Sequence, residues 1–368
     1  MRSEVLQAMW PFLTGEFGNP SSHHSLGDAA ARALADARAR VASWFAARPA
    51  EVTFTSGGTE AINLALKGIA LGQPRGRHIV TTPIEHEATL ESLDYLRRLH
   101  DFEISFAPVD ATGRVDLDAL AALLRPDTTL VSVMAANNEI GTVQQCAAIG
   151  DLAHAAGTVL HVDAVQAAGW LDVTLDALGA DAVSVSGHKL GAPKGVGALA
   201  ARSRLRIEPL LHGGGQERGR RSGTENVAAA VGLATAVELS ATDRAAASIA
   251  VAALRDELIS GLEAAVPTAV LTGPRQQRLP SIASFLFPGT SGEGVLLGLE
   301  EHGVVSSSGS ACAAGSDDPS PVLLALGVSP VDAQTAVRFS LSYATTEDDV
   351  RAAVAATTAA VGALTQLR

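Results

Sequence analysis

The stretch TVLHVDAVQAAGWLDVTLDALGADAVSVSGHKL (residues 158–190) contains two short apolar runs, and each run ends in polar residues. TVLHVDA (158–164) and DAVSVS (181–186) are rich in β-branched residues, and VLHV is apolar enough for a strand buried on both faces. Asp163 and Lys189 are 26 positions apart, which leaves room for one crossover connection between adjacent strands. This stretch therefore predicts neighbouring strands of a largely parallel sheet.

The same alternation of strand and helix patterns extends over most of the first 200 residues. Further strands are predicted for EVTFT (51–55), HIVTT (78–82), FEISFAPV (102–109) and TTLVSVMAA (128–136). Helical patterns lie between most of these runs, and Gly27–Arg48 is an amphipathic example that precedes them. We therefore predict an α/β fold with a mostly parallel main sheet.

The pattern changes after about Val227, where the chain becomes Ala-rich and helical as far as about Ala265. SIASFLF (281–287) then begins a second, smaller set of strands and helices. A length of 368 residues suits two domains better than a single core. We predict a large domain over residues 1–242 and a smaller α+β domain over residues 243–368.

The composition favours a globular protein and argues against a protein that binds nucleic acid or membranes. Hydrophobic residues make up 47% of the chain and charged residues 18%, which is typical of a globular protein. A net charge of -12 argues against direct binding to nucleic acid or to an anionic membrane. MRSEVLQAMW at the N-terminus lacks the apolar core of a signal peptide, and no uninterrupted apolar span is long enough to cross a bilayer. We therefore expect a cytoplasmic protein.

Polar residues follow several predicted strands, at the edge where open α/β sheets bind ligands. Ser56-Gly57-Gly58-Thr59 follows EVTFT and opens a helix, so its backbone N–H groups suit an anion; a simple turn is the alternative. Lys189 follows DAVSVS together with Ser186 and His188. A lysine that is desolvated at such a position can form a Schiff base, and a surface lysine is the alternative.

Asp163 is a third candidate site residue. A carboxylate at the tip of a buried strand needs a cationic or hydrogen-bonding partner. A phosphate cradle, a carboxylate for a ring nitrogen and a Schiff-base lysine are together what pyridoxal 5'-phosphate (PLP) needs. The cradle is predicted from Gly57, Gly58, Thr59, Ser186 and His188. No metal site is predicted, since the His and Cys residues lack the spacing of zinc ligands.

Eight motifs of the chain resemble those of a known family. They are TSGGTEAINLALKG, TPIEHEATL, ANNEIGTVQ, HVDAVQAAG, SVSGHKLGAPKGVGAL, HGGGQERGRRSGT, SSSGSACAAG and VRFSLS. In this order they resemble cysteine desulfurases of the iron–sulfur-cluster assembly and nitrogen-fixation type, which are class V aminotransferases. The resemblance implies the fold-type I architecture of PLP enzymes, with a seven-stranded main sheet and a homodimer that shares its active sites.

The resemblance also implies roles for residues in these motifs. Lys189 would hold PLP as a Schiff base, Asp163 would pair with the pyridinium nitrogen, Gln166 would bond the ring hydroxyl, and His86 would stack on the ring and move protons. The other cofactor-binding positions are Gly58, Thr59, Asn138, Ser186, Gly187, His188 and, toward the partner subunit's cofactor, Thr224. Asn138 and Arg338 would hold the substrate carboxylate, and Asn19 would line the site.

Cys312 lies in SSSGSACAAGSDDPS (306–320), a run of small and polar residues that packs little. The resemblance makes Cys312 the nucleophile: its thiolate would attack the sulfur of L-cysteine, leaving L-alanine and a persulfide. The loop would then pass the sulfur to an acceptor protein, either an iron–sulfur scaffold or a thiolation relay. A segment with few packing contacts suits such a transfer.

Two alternatives stay open at this point. Another fold-type I enzyme, such as a selenocysteine lyase or an aminotransferase, would share Lys189 and Asp163 without needing Cys312 for turnover on a cysteine-type substrate. An inactive adaptor would keep the fold to bind sulfur-acceptor proteins, although the presence of Lys189 and Cys312 argues against it.

Overall fold

The computed structural model describes residues 1–72, 74–308 and 318–366. The helices are α1 (Ser3–Thr14), α2 (Ser25–Trp44), α3 (Gly58–Gly72), α4 (Glu87–His100), α5 (Leu117–Leu123), α6 (Cys146–Ala155), α7 (Val227–Ala265), α8 (Gly292–Glu301), α9 (Pro321–Ala325), α10 (Pro330–Ala333) and α11 (Glu347–Gln366). The strands are β1 (Val52–Thr55), β2 (His78–Thr81), β3 (Glu103–Phe106), β4 (Thr128–Met134), β5 (Val159–Asp163), β6 (Ala182–Ser186), β7 (Gly197–Ala201), β8 (Val270–Leu271), β9 (Ile282–Leu286), β10 (Ser307–Ser308) and β11 (Ala336–Ser340).

The main sheet has seven strands in the order β1-β7-β6-β5-β4-β2-β3 within the described ranges. β6, β5, β4, β2 and β3 pair in parallel, whereas β7 runs antiparallel to both β6 and β1. The prediction of a mostly parallel, seven-stranded α/β sheet is therefore confirmed. Because only β7 is reversed, the carboxyl ends of the other six strands face the same edge.

Separate apolar clusters cover the two faces of this sheet. Val80 and Val131 belong to one cluster, while their chain neighbours Ile79 and Leu130 belong to the other. This alternation follows from the two-residue period of a strand, and it explains why β2 and β4 are apolar on both faces. Helix α3 packs on one face, and α2 with the N-terminal part of α7 packs on the other.

Helix α2 ends earlier than the sequence pattern predicts. The apolar periodicity of Gly27–Arg48 continues past the helix, but the helix ends at Trp44. Ala46 has a φ of 51°, a left-handed conformation that an α-helix does not accommodate. The chain turns there toward β1.

A second sheet contains β10-β11-β9-β8, all antiparallel, with α8, α11 and the C-terminal part of α7 around its core. Helix α7 has 39 residues and joins the two cores: Val231 and Val237 lie in the first, and Leu258 and Leu262 in the second. The predicted boundary after residue 242 falls inside this helix, and it stays a prediction. Among the helices of the described ranges, none combines the length and apolar character that a membrane span needs.

Candidate active site

A cavity of about 280 Å³ opens at the carboxyl edge of the main sheet. Its volume is close to the lower limit, ~300 Å³, of typical small-molecule sites. It is lined by residues that follow β1, β2, β4, β5 and β6, together with one residue of β11: Gly58, Thr59, Ile62, His86, Met134, Ala136, Asn138, Asp163, Val165, Gln166, Ser186, His188, Lys189 and Arg338. The topology thus brings residues from six separate strands to one place.

The start of α3 forms one wall of the cavity. Gly58 and Thr59 are its first residues, so their backbone N–H groups have no partner one helical turn earlier. A Cβ atom at Gly58 would lie 2.8 Å from Val165 Cγ2 and 3.2 Å from Ser186 Cβ, which leaves no room for a side chain. The hydroxyl of Ser186 is 2.8 Å from His188 Nδ1 on the neighbouring wall. Free N–H groups and hydroxyls at a helix N-terminus suit a phosphate.

Asp163 ends β5 at the floor of the cavity. It is buried, and its Oδ1 accepts a hydrogen bond of 2.9 Å from Val165 N–H. Burial raises the pKa of this carboxyl, while the hydrogen bond and the nearby His86 act in the opposite direction. Because a buried carboxylate is costly alone, the position favours a ligand with a positive charge or a hydrogen-bond donor.

Lys189 and His188 follow β6 in one turn of 3₁₀ helix, Gly187–Lys189. Burial lowers the pKa of His188, and the positive charges of Lys189 and Lys194 lower it further. His188 is therefore neutral at physiological pH and can act as a hydrogen-bonding partner. Lys189 lines the cavity and also lines a smaller space of about 70 Å³ toward Arg2 and Tyr343.

His86 is held in a fixed orientation at the start of α4. Its Nδ1 accepts a hydrogen bond of 3.0 Å from Ala88 N–H, which caps the helix. In the neutral ring the proton must therefore reside on Nε2. In the neutral ring Nε2 is consequently a hydrogen-bond donor.

Arg338 brings the smaller sheet into the site. It lies on β11, and its Nη1 donates a hydrogen bond of 2.9 Å to the carbonyl oxygen of Asn138. Asn138 follows β4, so this contact joins the two sheets beside the cavity. A guanidinium at this position can bind a carboxylate through two parallel hydrogen bonds.

Comparison with known proteins accounts for this arrangement. The family model of the class V aminotransferases matches residues 1–353 of the chain. The chain belongs to the class V aminotransferase family. It is 44% identical to cysteine desulfurase IscS of Dictyoglomus turgidum over 351 residues, which are 95% of this chain and 89% of that protein. The resemblance predicted from the eight motifs is thus confirmed.

Solved structures agree with the class V aminotransferase assignment. A NifS-like protein superposes with a TM-score of 0.92 and 38% identity, covering 99% of this chain and 97% of that one. The structure of SspA in complex with cysteine superposes with a TM-score of 0.82 and 32% identity, covering 94% and 97% of the two chains. The fold-type I architecture predicted from the sequence is confirmed by these matches.

The class V aminotransferase family is PLP-dependent, and the cavity fits that cofactor. Gly58 leaves the free N–H groups at the start of α3 accessible to a phosphate. Asp163 supplies a buried carboxylate, and Lys189 supplies an amine in the same cavity. The N–H groups at the start of α3 thus suit the phosphate of PLP, Asp163 suits its ring nitrogen, and the amine of Lys189 suits its aldehyde.

Three of the predicted site residues, Gly187, Asn19 and Thr224, do not line this cavity. Gly187 is buried behind the cavity, where a Cβ atom would lie 2.8 Å from Val196 Cγ1. Asn19 is exposed in the turn before α2, and its Oδ1 accepts a hydrogen bond from Ser21 N–H instead of lining the cavity. Thr224 lines a separate cavity of about 230 Å³. Cys312 lies outside the described residues.

Two buried carboxyl groups beside the site, Glu85 and Glu139, are not among the residues predicted from the sequence. Glu85 precedes His86 after β2, and Glu139 follows Asn138 after β4. Burial raises the pKa of Glu85 to about 8 and that of Glu139 to about 7. Their position directly after buried strands is the signal that could have identified them, because the other site residues occupy the same kind of position.

Proposed function

We propose that this chain is a PLP-dependent cysteine desulfurase, which takes sulfur from L-cysteine and releases L-alanine. The observation that carries the proposal is the cavity in which Lys189, Asp163 and the start of α3 meet Arg338. The first three suit the cofactor, and Arg338 suits the carboxylate of an amino acid. Relatives that bear the name cysteine desulfurase narrow the substrate to L-cysteine.

When bound, PLP supplies an electron sink that stabilises negative charge at the Cα atom of an amino acid. Asp163 would keep the ring nitrogen of the bound cofactor protonated, since a buried carboxylate and a cation stabilise each other. Lys189 would hold the cofactor through Nζ, and Gly58, Thr59, Ser186 and His188 would bind its phosphate. Gln166 would bond the ring hydroxyl.

The substrate is oriented from the other side of the cavity. Arg338, with Asn138, binds the carboxylate of L-cysteine and so directs the Cα–H bond toward Lys189. His86 would cover the ring of the bound cofactor and act through Nε2, because its Nδ1 accepts the hydrogen bond of Ala88 N–H. Arg338 and Asn138 therefore bind and orient the substrate. Lys189 and His86 move protons at its Cα and sulfur atoms.

Cys312 supplies the nucleophile. Its thiolate attacks the substrate's sulfur, so an S–S bond forms as the C–S bond breaks and its electron pair stays with the carbon skeleton. A proton added to Cβ and the return of a proton to Cα complete L-alanine. The persulfide on Cys312 then passes to an acceptor protein, an iron–sulfur scaffold or a thiolation relay. We further propose a cytoplasmic homodimer in which Thr224 reaches the partner subunit's cofactor.

The test compares Cys312→Ala and Lys189→Ala with the unchanged chain. We expect Cys312→Ala to keep the absorbance of bound PLP and to lose alanine formation from L-cysteine. Lys189→Ala should lose both the absorbance band and the activity. Undiminished sulfur release by Cys312→Ala would contradict the proposal and would favour a lyase that needs no cysteine nucleophile.

A further inference from the structure

Glu85 is a buried carboxyl group that the reaction described above does not use. Its residue is 4% exposed, and its Oε1 accepts hydrogen bonds from Thr82 Oγ1 at 2.6 Å and from Met134 N–H at 3.1 Å. Its Oε2 is also buried, and it has no hydrogen-bond partner among the described residues. An ionised carboxylate would leave that oxygen's charge without any compensation, so the geometry favours the protonated form.

The two hydrogen bonds of Glu85 connect parts of the site that come from different strands. Thr82 lies in the turn after β2, which also carries His86, and Met134 is the last residue of β4. Met134 is paired with Asp163 in the ladder between β4 and β5. Glu85 therefore joins the turn of His86 to the strand next to Asp163.

The neighbouring charges also favour a neutral Glu85. Asp163 on β5 is close enough that its negative charge raises the pKa of Glu85, in addition to the larger effect of burial. Cys146 at the start of α6 has a pKa raised to about 12 by burial and by Glu85, so its thiol is neutral as well. His86 lies on the same turn, and its proximity acts to lower the pKa of Asp163, against the larger effect of burial. Because Glu85 and Asp163 are both buried and close together, ionisation of one disfavours ionisation of the other.

We propose that Glu85 is a positioning residue that stays protonated behind Asp163, holds the turn of His86 against β4, and leaves the buried negative charge on Asp163. This inference rests on the proposed function, because it assigns Asp163 to the ring nitrogen. Glu85 does not touch the cofactor. It acts through the two residues that do.

The test uses the full chain in three variants. Glu85→Gln keeps a neutral group that can accept the hydrogen bonds from Thr82 and Met134, and Glu85→Ala removes it. Glu87→Gln is the matched control, since Glu87 is exposed two positions further along. Two measurements are made on each variant: the thermal unfolding temperature without PLP as a function of pH, and the dissociation constant of PLP from its absorbance.

The raised pKa of Glu85 determines how the unfolding temperature changes with pH. Between about pH 5 and about pH 8 the folded protein keeps the proton of Glu85 while the unfolded chain loses it, so stability falls as pH rises. Glu85→Gln lacks this fall. Its unfolding temperature relative to the unchanged chain should therefore increase over that range and level off above it, whereas Glu87→Gln should show no such trend.

Binding of PLP tests the positioning role. We expect Glu85→Gln to change the dissociation constant by less than about threefold and Glu85→Ala to raise it about tenfold or more, because Ala leaves a buried N–H group unpaired. A pH-independent difference for Glu85→Gln would overturn the protonated state, and equal affinities of the Gln and Ala variants would overturn the positioning. Neither measurement needs turnover, so a failure of desulfurase activity would be distinguishable.

Discussion

At the scale of single residues, the site depends on a few polar groups whose surroundings determine their chemistry. His86 has one nitrogen committed to the helix that follows it, and Asp163 is buried beside a carboxyl group that favours the neutral state. Arg338 is held by the carbonyl oxygen of Asn138. Each of these side chains is oriented by a backbone atom at the carboxyl edge of the main sheet: Ala88 N–H for His86, Val165 N–H for Asp163 and the carbonyl oxygen of Asn138 for Arg338.

Replacing Arg338 with Lys tests the binding of the substrate carboxylate. Lys keeps the charge but cannot form the two parallel hydrogen bonds of a guanidinium, so we expect about 1.5–3 kcal/mol of substrate binding to be lost, which is roughly a tenfold to hundredfold rise in KM for L-cysteine. The affinity for PLP should change little. Steady-state kinetics and an absorbance titration separate the two effects, and an unchanged KM would remove Arg338 from the substrate site.

At the scale of elements, the start of α3 packs so closely against β6 and the turn after β5 that Gly58 has no space for a side chain. Gly58→Ala would place a Cβ atom 2.8 Å from Val165 Cγ2, whereas a Cβ atom at Gly57 would meet nothing nearer than Ser186 Oγ at 4.0 Å. We therefore expect Gly58→Ala to weaken PLP binding about tenfold or more, and Gly57→Ala to weaken it by less than about threefold. Similar affinities for the two variants would contradict the cradle assigned to Gly58.

Helix α9 is connected to the site through its N-cap. Ser320 Oγ donates a hydrogen bond of 2.5 Å to Glu139 Oε2 and accepts one of 3.3 Å from Leu323 N–H. Ser320→Ala should lower the free energy of unfolding by about 2–4 kcal/mol, because it removes the N-cap of α9 and also leaves a buried carboxyl oxygen without its partner. Ser329→Ala removes only an exposed N-cap of α10 and should cost about 1 kcal/mol. Denaturant unfolding of the two variants measures this difference, and equal losses would argue against a role for Glu139.

At the scale of the whole molecule, two sheets share one cavity and one long helix. β11 brings Arg338 from the smaller sheet to residues at the edge of the larger one, while α7 contributes to both cores. The segment that carries Thr224 is anchored nearby by a buried ion pair, in which Arg38 Nη1 lies 2.6 Å from Glu217 Oε2. Thr224 itself is exposed and lines a cavity of its own.

The proposed homodimer gives this exposed segment a function. We expect sedimentation equilibrium to report a mass of twice the 37.6 kDa of the chain. Thr224→Ala should weaken PLP binding about tenfold, because a hydrogen bond to a charged phosphate is lost from the partner subunit's site. A monomeric mass together with unchanged PLP affinity in Thr224→Ala would contradict shared active sites.

The sequence by itself predicted the family and six of the seven strands of the main sheet, all except β7. It did so because buried parallel strands are apolar on both faces, and because the groups that follow β1, β5 and β6 stand next to the strands that position them. The rule that carboxyl ends share an edge placed the residues after β1, β5 and β6 in one predicted site, whereas the roles of His86 after β2 and Asn138 after β4 came from the family resemblance.

Only the tertiary structure decided which of the remaining polar residues take part. The family resemblance predicts that Asn19 lines the site, yet its side chain accepts a hydrogen bond within its own turn and is exposed. Glu85 and Glu139 look like ordinary charged residues in the sequence, and only packing removes them from water. Burial and the pairing of distant strands arise from contacts between residues far apart in the chain, so a local pattern does not contain them.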